Sequence, residues 1–530
     1  MSFIALISAL IIVYYAFPDR FRWIILLLTS IVFYLFAGAT SVIYIVFSAL
    51  SIYGLALILQ SITQKSKKYI KDNKDILTKE QRNRYKKSIK AKKRLLLVAG
   101  ILFNLAFLVV FKYSHFLIDI VNPIIKGLGF EEINNSFSLL IPLGISYYTL
   151  QAIGYLVNVY WERSSAEKNF FKVLLYISFF PSITQGPIND YEYLTSEIYK
   201  PHCLTYSAFS NGFQRAVWGF FKKMVIADAI SPYVTTIFSH YQDYSGLTCV
   251  VGALLYMAQL YADFSGYMDI MCGCCEIMDI RLTENFIRPY FSKSIAELWR
   301  RWHISLGQWL KTYIYYPIAV STFNQRLSQK TMKVFGSNAA GKLAATVPLF
   351  FVWSVVGIWH DASWEYILWG FGNAAFIISS VWLESVYNHM KTKLCINEKS
   401  KVFKIFQIIR TFVIFTVLET VAAVASMGGN GFSFIMKPLL SPSIPTSIEE
   451  LFPSTEGLGG QFGIMLIIAL FGICLMFVFS IIQRKRPIRS IFNRIPYYVR
   501  LFILAVMVII IATSGVQSSW GAGAFMYANF

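Results

Sequence analysis

Charge is scarce in this 530-residue chain. Only 14% of its residues are Asp, Glu, Lys or Arg, against about a quarter in an ordinary soluble domain. Acidic residues are the scarcest, 28 against 48 Lys and Arg. Cysteine is sparse too: the seven residues form an odd set without paired spacing, which argues against a disulfide framework. Cys272-Gly273-Cys274-Cys275 has no histidine nearby and apolar flanks, so it reads as small buried residues rather than a metal site. No zinc-type spacing, Walker-type phosphate loop or Gly-x-Ser-x-Gly elbow occurs, and no metal is expected. The alternating ten-residue pattern of a membrane β-barrel is missing. No basic segment precedes the first apolar run and a second run follows almost at once, so the first reads as a retained span, not a cleaved leader. The absence of an internal repeat weakens a transporter reading.

What the chain has in abundance is apolar surface, 56% of residues, with 17% aromatic. Apolar runs near the length of a bilayer crossing cover 2–17, 23–37, 42–59, 95–111, 343–359, 364–383, 405–426, 462–482 and 498–514. Less regular runs fill 138–160, 170–180 and 247–261. These predict an all-α polytopic membrane protein with roughly ten to twelve crossings. The expected organisation is one integral membrane domain, 1–530. It comprises N-terminal spans over 1–111, a core over 138–385, and C-terminal spans and an aromatic tail over 405–530.

The net charge of +20 does not point to nucleic acid, because it sits in loops beside the apolar runs. Residues 64–94 alone hold 14 Lys and Arg against 3 Asp and Glu, the mark of a cytoplasmic loop lying on anionic lipid headgroups. With that loop inside, the Lys-rich 387–404 and the basic 483–494 also fall inside. Residues 428–461, with one Lys and three Glu, fall outside, as do both termini.

From 185 to 317 the pattern changes to apolar residues mixed with Pro, Gly, Asn and charges, which reads as broken or re-entrant helices around a functional centre. Two of the six histidines stand out. His360 ends an apolar run in Gly357-Ile358-Trp359-His360-Asp361, and an ionisable group there is a candidate general base as readily as a helix-end hydrogen-bonder. His303 lies in Trp299-Arg300-Arg301-Trp302-His303-Ile304-Ser305-Leu306. Read as one amphipathic interfacial helix, this segment puts Trp299, Trp302, His303, Leu306, Trp309 and Leu310 on one face. Taken alone, His303 there is more simply a polar anchor than a catalyst. Arg300, Arg301 and Lys311 suit a donor phosphate or lipid headgroups.

Four motifs occur in order: Asp263-Phe264-Ser265-Gly266-Tyr267-Met268-Asp269-Ile270, Glu284-Asn285-Phe286-Ile287-Arg288-Pro289-Tyr290, the Trp299–Leu306 segment, and Gly357-Ile358-Trp359-His360. Together with Pro142-Leu143-Gly144-Ile145-Ser146-Tyr147-Tyr148 and Gln185-Gly186-Pro187-Ile188, they resemble the membrane-bound O-acyltransferase family, in its alginate O-acetyltransferase-like bacterial branch. The resemblance is strong over about 142–370. It implies a helical fold around a central tunnel and a paired-histidine site of His360 and His303. Asn285, Trp299, Arg300, Arg301, Trp302 and Asp361 would support that site or bind the donor. It also implies a bacterial plasma-membrane location and no tightly bound cofactor. The co-substrate would be a cytoplasmic acyl thioester, acetyl-CoA or an acyl carrier protein. Further partners would be membrane lipids, an extracytoplasmic acyltransferase, and a glycan or cell-wall acceptor. Asp361 departs from the glycine usual at that position, and its carboxylate is a candidate to orient the imidazole. Tyr527, in the aromatic tail 524–530, is a candidate acyl relay and equally an interfacial anchor. D-alanyl transfer to teichoic acid from a carrier protein, and from another class a lipid-linked sugar flippase, are the competing functions.

Overall fold

The computed structural model describes residues 2–135, 141–453, 461–484, 486 and 488–515. Among them every regular element is a helix. This agrees with the expected class, because a helix satisfies each backbone N–H and C=O within its own segment and so tolerates hydrocarbon. The tail carrying Tyr527 lies outside the described residues.

The chain divides into two compact units, 1–209 with 275–283, and 210–274 with 284–530. In the first, α1 (Ser2–Ala16), α2 (Asp19–Phe36), α3 (Ala39–Asp72), α4 (Lys79–Leu108) and α5 (Ile145–Tyr160) carry most of the structure. The basic segment expected as a loop is mostly helical: α3 runs on to Asp72, and a capping box between Thr78 and Gln81 starts α4 at Lys79. Lys67 and Lys93 converge on Glu162 at 2.7 and 3.1 Å, tying the basic arm to the end of α5. A β-carbon on Gly100 of α4 would sit 2.6 Å from both Leu55 of α3 and Leu156 of α5, so glycine sets how closely these helices meet.

In the second unit, α6 (Tyr206–Phe220) passes through a π-helical turn, Phe221–Ala227, into α7 (Asp228–Ser239), and α8 (Gly246–Ile277) follows. Two short helices, α9 (Ile295–Trp299) and α10 (Ile304–Leu310), precede α11 (Thr322–His360), α12 (Trp364–Trp382), α13 (Lys401–Ser426), α14 (Gln461–Ile482) and α15 (Tyr497–Gly515). α11 is two helices joined at Gly336, whose φ of 83° lies in the left-handed region.

Seven helices among the described residues are long and apolar enough to cross a membrane, or eight if the bent pair of α12 and Glu384–Lys393 is one span. This is fewer than the ten to twelve expected. Apolar residues 2–17 and 138–160 yield helices of 15 and 16 residues, short of the roughly 20 that a bilayer core requires. Residues 170–180 give one of only nine. The chain is an all-α, multi-pass membrane protein.

Candidate active site

The site is assembled entirely within the second unit, beginning with the crossing of α6 and α8. Gly212, Ala216 and Gly219 face Gly266, Ile270 and Gly273. A β-carbon on Gly219 would lie 2.6 Å from the Ile270 amide nitrogen, and one on Gly273 would lie 2.6 Å from that of Ala216. Small residues at these helical intervals let the two backbones touch. Close approach brings three cations to the carboxylates of α8. Lys223 Nζ sits 2.7 Å from Asp263 and 2.6 Å from Asp228. Lys222 Nζ donates to Asp269 at 2.7 Å and to Ser265 at 2.8 Å. Arg215 bridges Asp269 and Glu284, gripping Glu284 with both terminal nitrogens. The π-turn at 221–227 turns two consecutive lysines to the same carboxylate-lined face; such turns recur at functional sites.

The motif 263–270 therefore has a mechanical reading. Asp263 and Asp269 anchor the lysines, Gly266 permits the crossing, and Phe264 faces His303 edge-on at 4.9 Å between ring centroids. Neither Lys222 nor Lys223 was among the expected site residues. The available signal was two adjacent ionisable groups inside the apolar run 216–227.

The predicted single interfacial helix is not formed. α9 ends at Trp299, a turn follows, and His303 has φ 48° and ψ 51° before α10 begins. The turn is held from outside: Asn285 accepts from the Ser305 amide at 2.8 Å through its side chain and from the Ile304 amide at 3.1 Å through its carbonyl. The predicted apolar face survives the break, with Trp302, His303, Leu306, Trp309 and Leu310 all buried. The left-handed residue redirects His303 inward, where only 3% of it is exposed. Burial pushes its imidazole down to about 3, so it is neutral at physiological pH.

His360 is the last residue of α11 and is 5% exposed. Its ring stacks on Tyr366 at 6.1 Å and meets Trp369 at 5.0 Å. The clamp comes from glycine. β-Carbons on Gly357 and Gly370 would lie 2.6 Å from the Tyr366 and Trp353 carbonyl oxygens respectively, so α11 and α12 pack backbone to backbone. Trp359 links the two histidines, with ring centroids 6.2 Å from His303 and 5.2 Å from His360.

Of the other expected site residues, Trp299 donates its indole N–H to Asn373 at 2.9 Å and packs on Trp353, Trp369 and Phe415. Trp302 stacks on Tyr290 and meets Phe286 and Phe415. Asn285 shapes the backbone of the His303 turn. Arg300 is exposed, and Arg301 pairs with Glu297 at 2.6 Å. Asp361 does not hydrogen-bond His360; its carboxylate accepts from the Ala362 amide at 2.8 Å. Glu419, absent from the expectations, is buried in α13 and accepts from the Trp369 indole at 3.0 Å. Its signal was a lone acid within the apolar run 405–426. Among the described residues, no three His, Cys, Asp or Glu side chains group as metal ligands.

The model of the membrane-bound O-acyltransferase family matches residues 26–339, a range that includes His303 and ends before His360. A probable alginate O-acetylase of Pseudomonas syringae is 35% identical over 274 residues, covering 52% of this chain and 49% of the relative. A peptidoglycan O-acetyltransferase of Helicobacter pylori is 32% identical over 306 residues, 53% and 54% of the two chains. A teichoic acid D-alanyltransferase of Bacillus subtilis is 27% identical over 240 residues, 44% and 58%. The chain thus spans about half the length of the curated relatives it matches. With the match extending over more than half of its residues, this chain belongs to the membrane-bound O-acyltransferase family.

Proposed function

We propose that this protein is an O-acyltransferase that passes an acetyl group from a cytoplasmic thioester through the membrane for O-acylation of an extracytoplasmic polysaccharide or cell-wall polymer, by way of an extracytoplasmic partner. The observation that carries the reading is the pair of buried histidines joined through Trp359. The O-acetyl names of the more similar relatives support acetyl over D-alanyl.

In this mechanism His360 accepts the proton of an acceptor hydroxyl while its oxygen attacks the thioester carbonyl. The tetrahedral oxyanion collapses, the carbon–sulfur bond breaks, and the imidazolium returns the proton to the leaving thiolate. Neutral His303 donates a hydrogen bond to the oxyanion and needs no charge to do so. The aromatic wall of Trp359, Tyr366 and Trp369 excludes water, which would otherwise hydrolyse the thioester.

The test supplies labelled acetyl thioester to membranes carrying the protein, with partner and acceptor present, and follows label into polymer for wild type and His360→Ala. Transfer that vanishes in the variant at equal protein level supports the reading. Transfer that persists removes His360 as the base. A wild type that transfers D-alanine from a charged carrier protein, and not acetyl, replaces the donor assignment.

A further inference from the structure

Arg288 has an unusual environment. It sits in the left-handed region, with φ 49° and ψ 56°, a conformation costly for a side chain of this size. Its half-buried guanidinium lies 5.0 Å over the Phe291 ring. Its Nε is buried without a hydrogen-bond partner. Among the described residues, no carboxylate lies within ion-pair distance of it.

What surrounds Arg288 is more positive charge. The Ile287 amide donates to the Arg301 carbonyl at 3.0 Å, so the strands of chain bearing Arg288 and Arg301 run side by side. Phe291 stacks on Phe477 of α14 at 5.6 Å. That contact brings the end of α14 to this loop, and exposed Arg484 follows two residues beyond it. Burial, and then the facing charges of Arg301 and Arg484, hold the Arg288 guanidinium below its ordinary value. Among the described residues, Arg301 alone of the three arginines has an acidic partner, Glu297.

The like charges of Arg301 and Arg484 act on Arg288 with one paired carboxylate, Glu297, to offset them, and the half-buried Arg288 has lost solvent without gaining an anionic partner. A multiply charged anion removes both penalties. Planar, forked guanidinium donors match phosphate oxygens in pairs. Arg288 and Arg301 lie on the segments flanking the His303 turn, 285–288 and 301–305, so an anion held between them is next to the site.

We infer that Arg288, Arg301 and Arg484 form an organophosphate-recognition site that holds the phosphates of the thioester donor while its acyl end reaches the histidines. This rests on the acyl-transfer reading above. The same chemistry occurs in anionic lipid headgroups, and the experiment separates the two sources.

Full-length protein is placed in nanodiscs of phosphatidylcholine alone or with phosphatidylglycerol. Binding of adenosine 3′,5′-bisphosphate is measured for wild type, Arg288→Gln, Arg484→Ala and the conservative Arg288→Lys. KM is measured with acetyl-CoA and with S-acetylpantetheine, which has no phosphate. Each charge loss is expected to weaken bisphosphate binding and raise KM for acetyl-CoA about tenfold. KM for S-acetylpantetheine and kcat should not change. Arg288→Lys should recover part of the loss, and added salt should weaken wild-type binding. Equal KM rises for both donors, or bisphosphate binding unchanged in Arg484→Ala, would overturn the site. If phosphatidylglycerol competes with the bisphosphate in wild type and not in the variants, the site stands and headgroups share it. Competition without any bisphosphate effect on donor KM would leave a lipid site and overturn the donor role. Intact bisphosphate binding with no acetyl transfer by wild type would fail the acyl-transfer reading alone.

Discussion

Replacing Lys223 with Met removes a cation that sits 2.6 Å from Asp228 and 2.7 Å from Asp263. The methionine fills nearly the same volume, so the change is chiefly electrostatic. The two stranded carboxylates differ in their means of escape. Asp228 keeps 23% of its side chain exposed and can turn to solvent, whereas Asp263 keeps 1% and cannot. Breaking a buried pair from one side costs about 3–5 kcal/mol, and here nearly all of it falls on Asp263. The unfolded fraction should therefore rise by roughly two to four orders of magnitude. Asp263→Leu in the same chain removes the stranded charge, so the double variant should recover about 1–3 kcal/mol relative to Lys223→Met. Equilibrium unfolding in mixed micelles, followed by circular dichroism, measures both. A single variant within about 1 kcal/mol of wild type, or a double variant as unstable as the sum of the two singles, would refute the argument that this network holds α6 to α8.

Asn285→Ala should remove the side-chain acceptor of the Ser305 amide, cost about 1–3 kcal/mol in the same unfolding assay, and reduce acyl transfer by loosening the His303 turn. Glu419→Leu should lower kcat about tenfold or more with KM held, because the Trp369 indole that faces His360 loses its acceptor. Glu419→Gln keeps an acceptor oxygen and should stay near wild type in the same kinetic comparison. Asp361→Gly should change kcat about twofold at most, since that carboxylate serves the Ala362 amide and not the imidazole. A large loss in this variant would show a role for Asp361 beyond its own loop.

The helical membrane class was legible because hydrocarbon imposes it: long apolar runs and loop-confined charge have few other solutions. Both histidines stood out in the sequence as candidates, His360 from its place at the end of an apolar run and His303 more through the resemblance than through its own surroundings. The straight helix drawn through His303 was not formed. Periodicity reports which residues share a face, and it is silent on a single left-handed residue held by Asn285 from another segment. Among the described residues, fewer helices are long and apolar enough to span than the ten to twelve crossings expected. Composition finds apolar stretches, and the lengths of the helices they form sort them.

By itself the sequence determined the solvent and the helical class and singled out candidate residues for chemistry, since each follows from side chains taken one at a time or at a fixed interval. The tertiary structure decided the partnerships. Asp263 and Lys223 are 40 positions apart and become neighbours only because Gly219 and Gly266 let two helices touch. His303 and His360 meet through Trp359 only because a left-handed turn points one inward and Gly357 and Gly370 seat the other. Contacts of this kind depend on backbone separation, which is set by the absence of side chains at a few positions and leaves no periodic trace in the sequence.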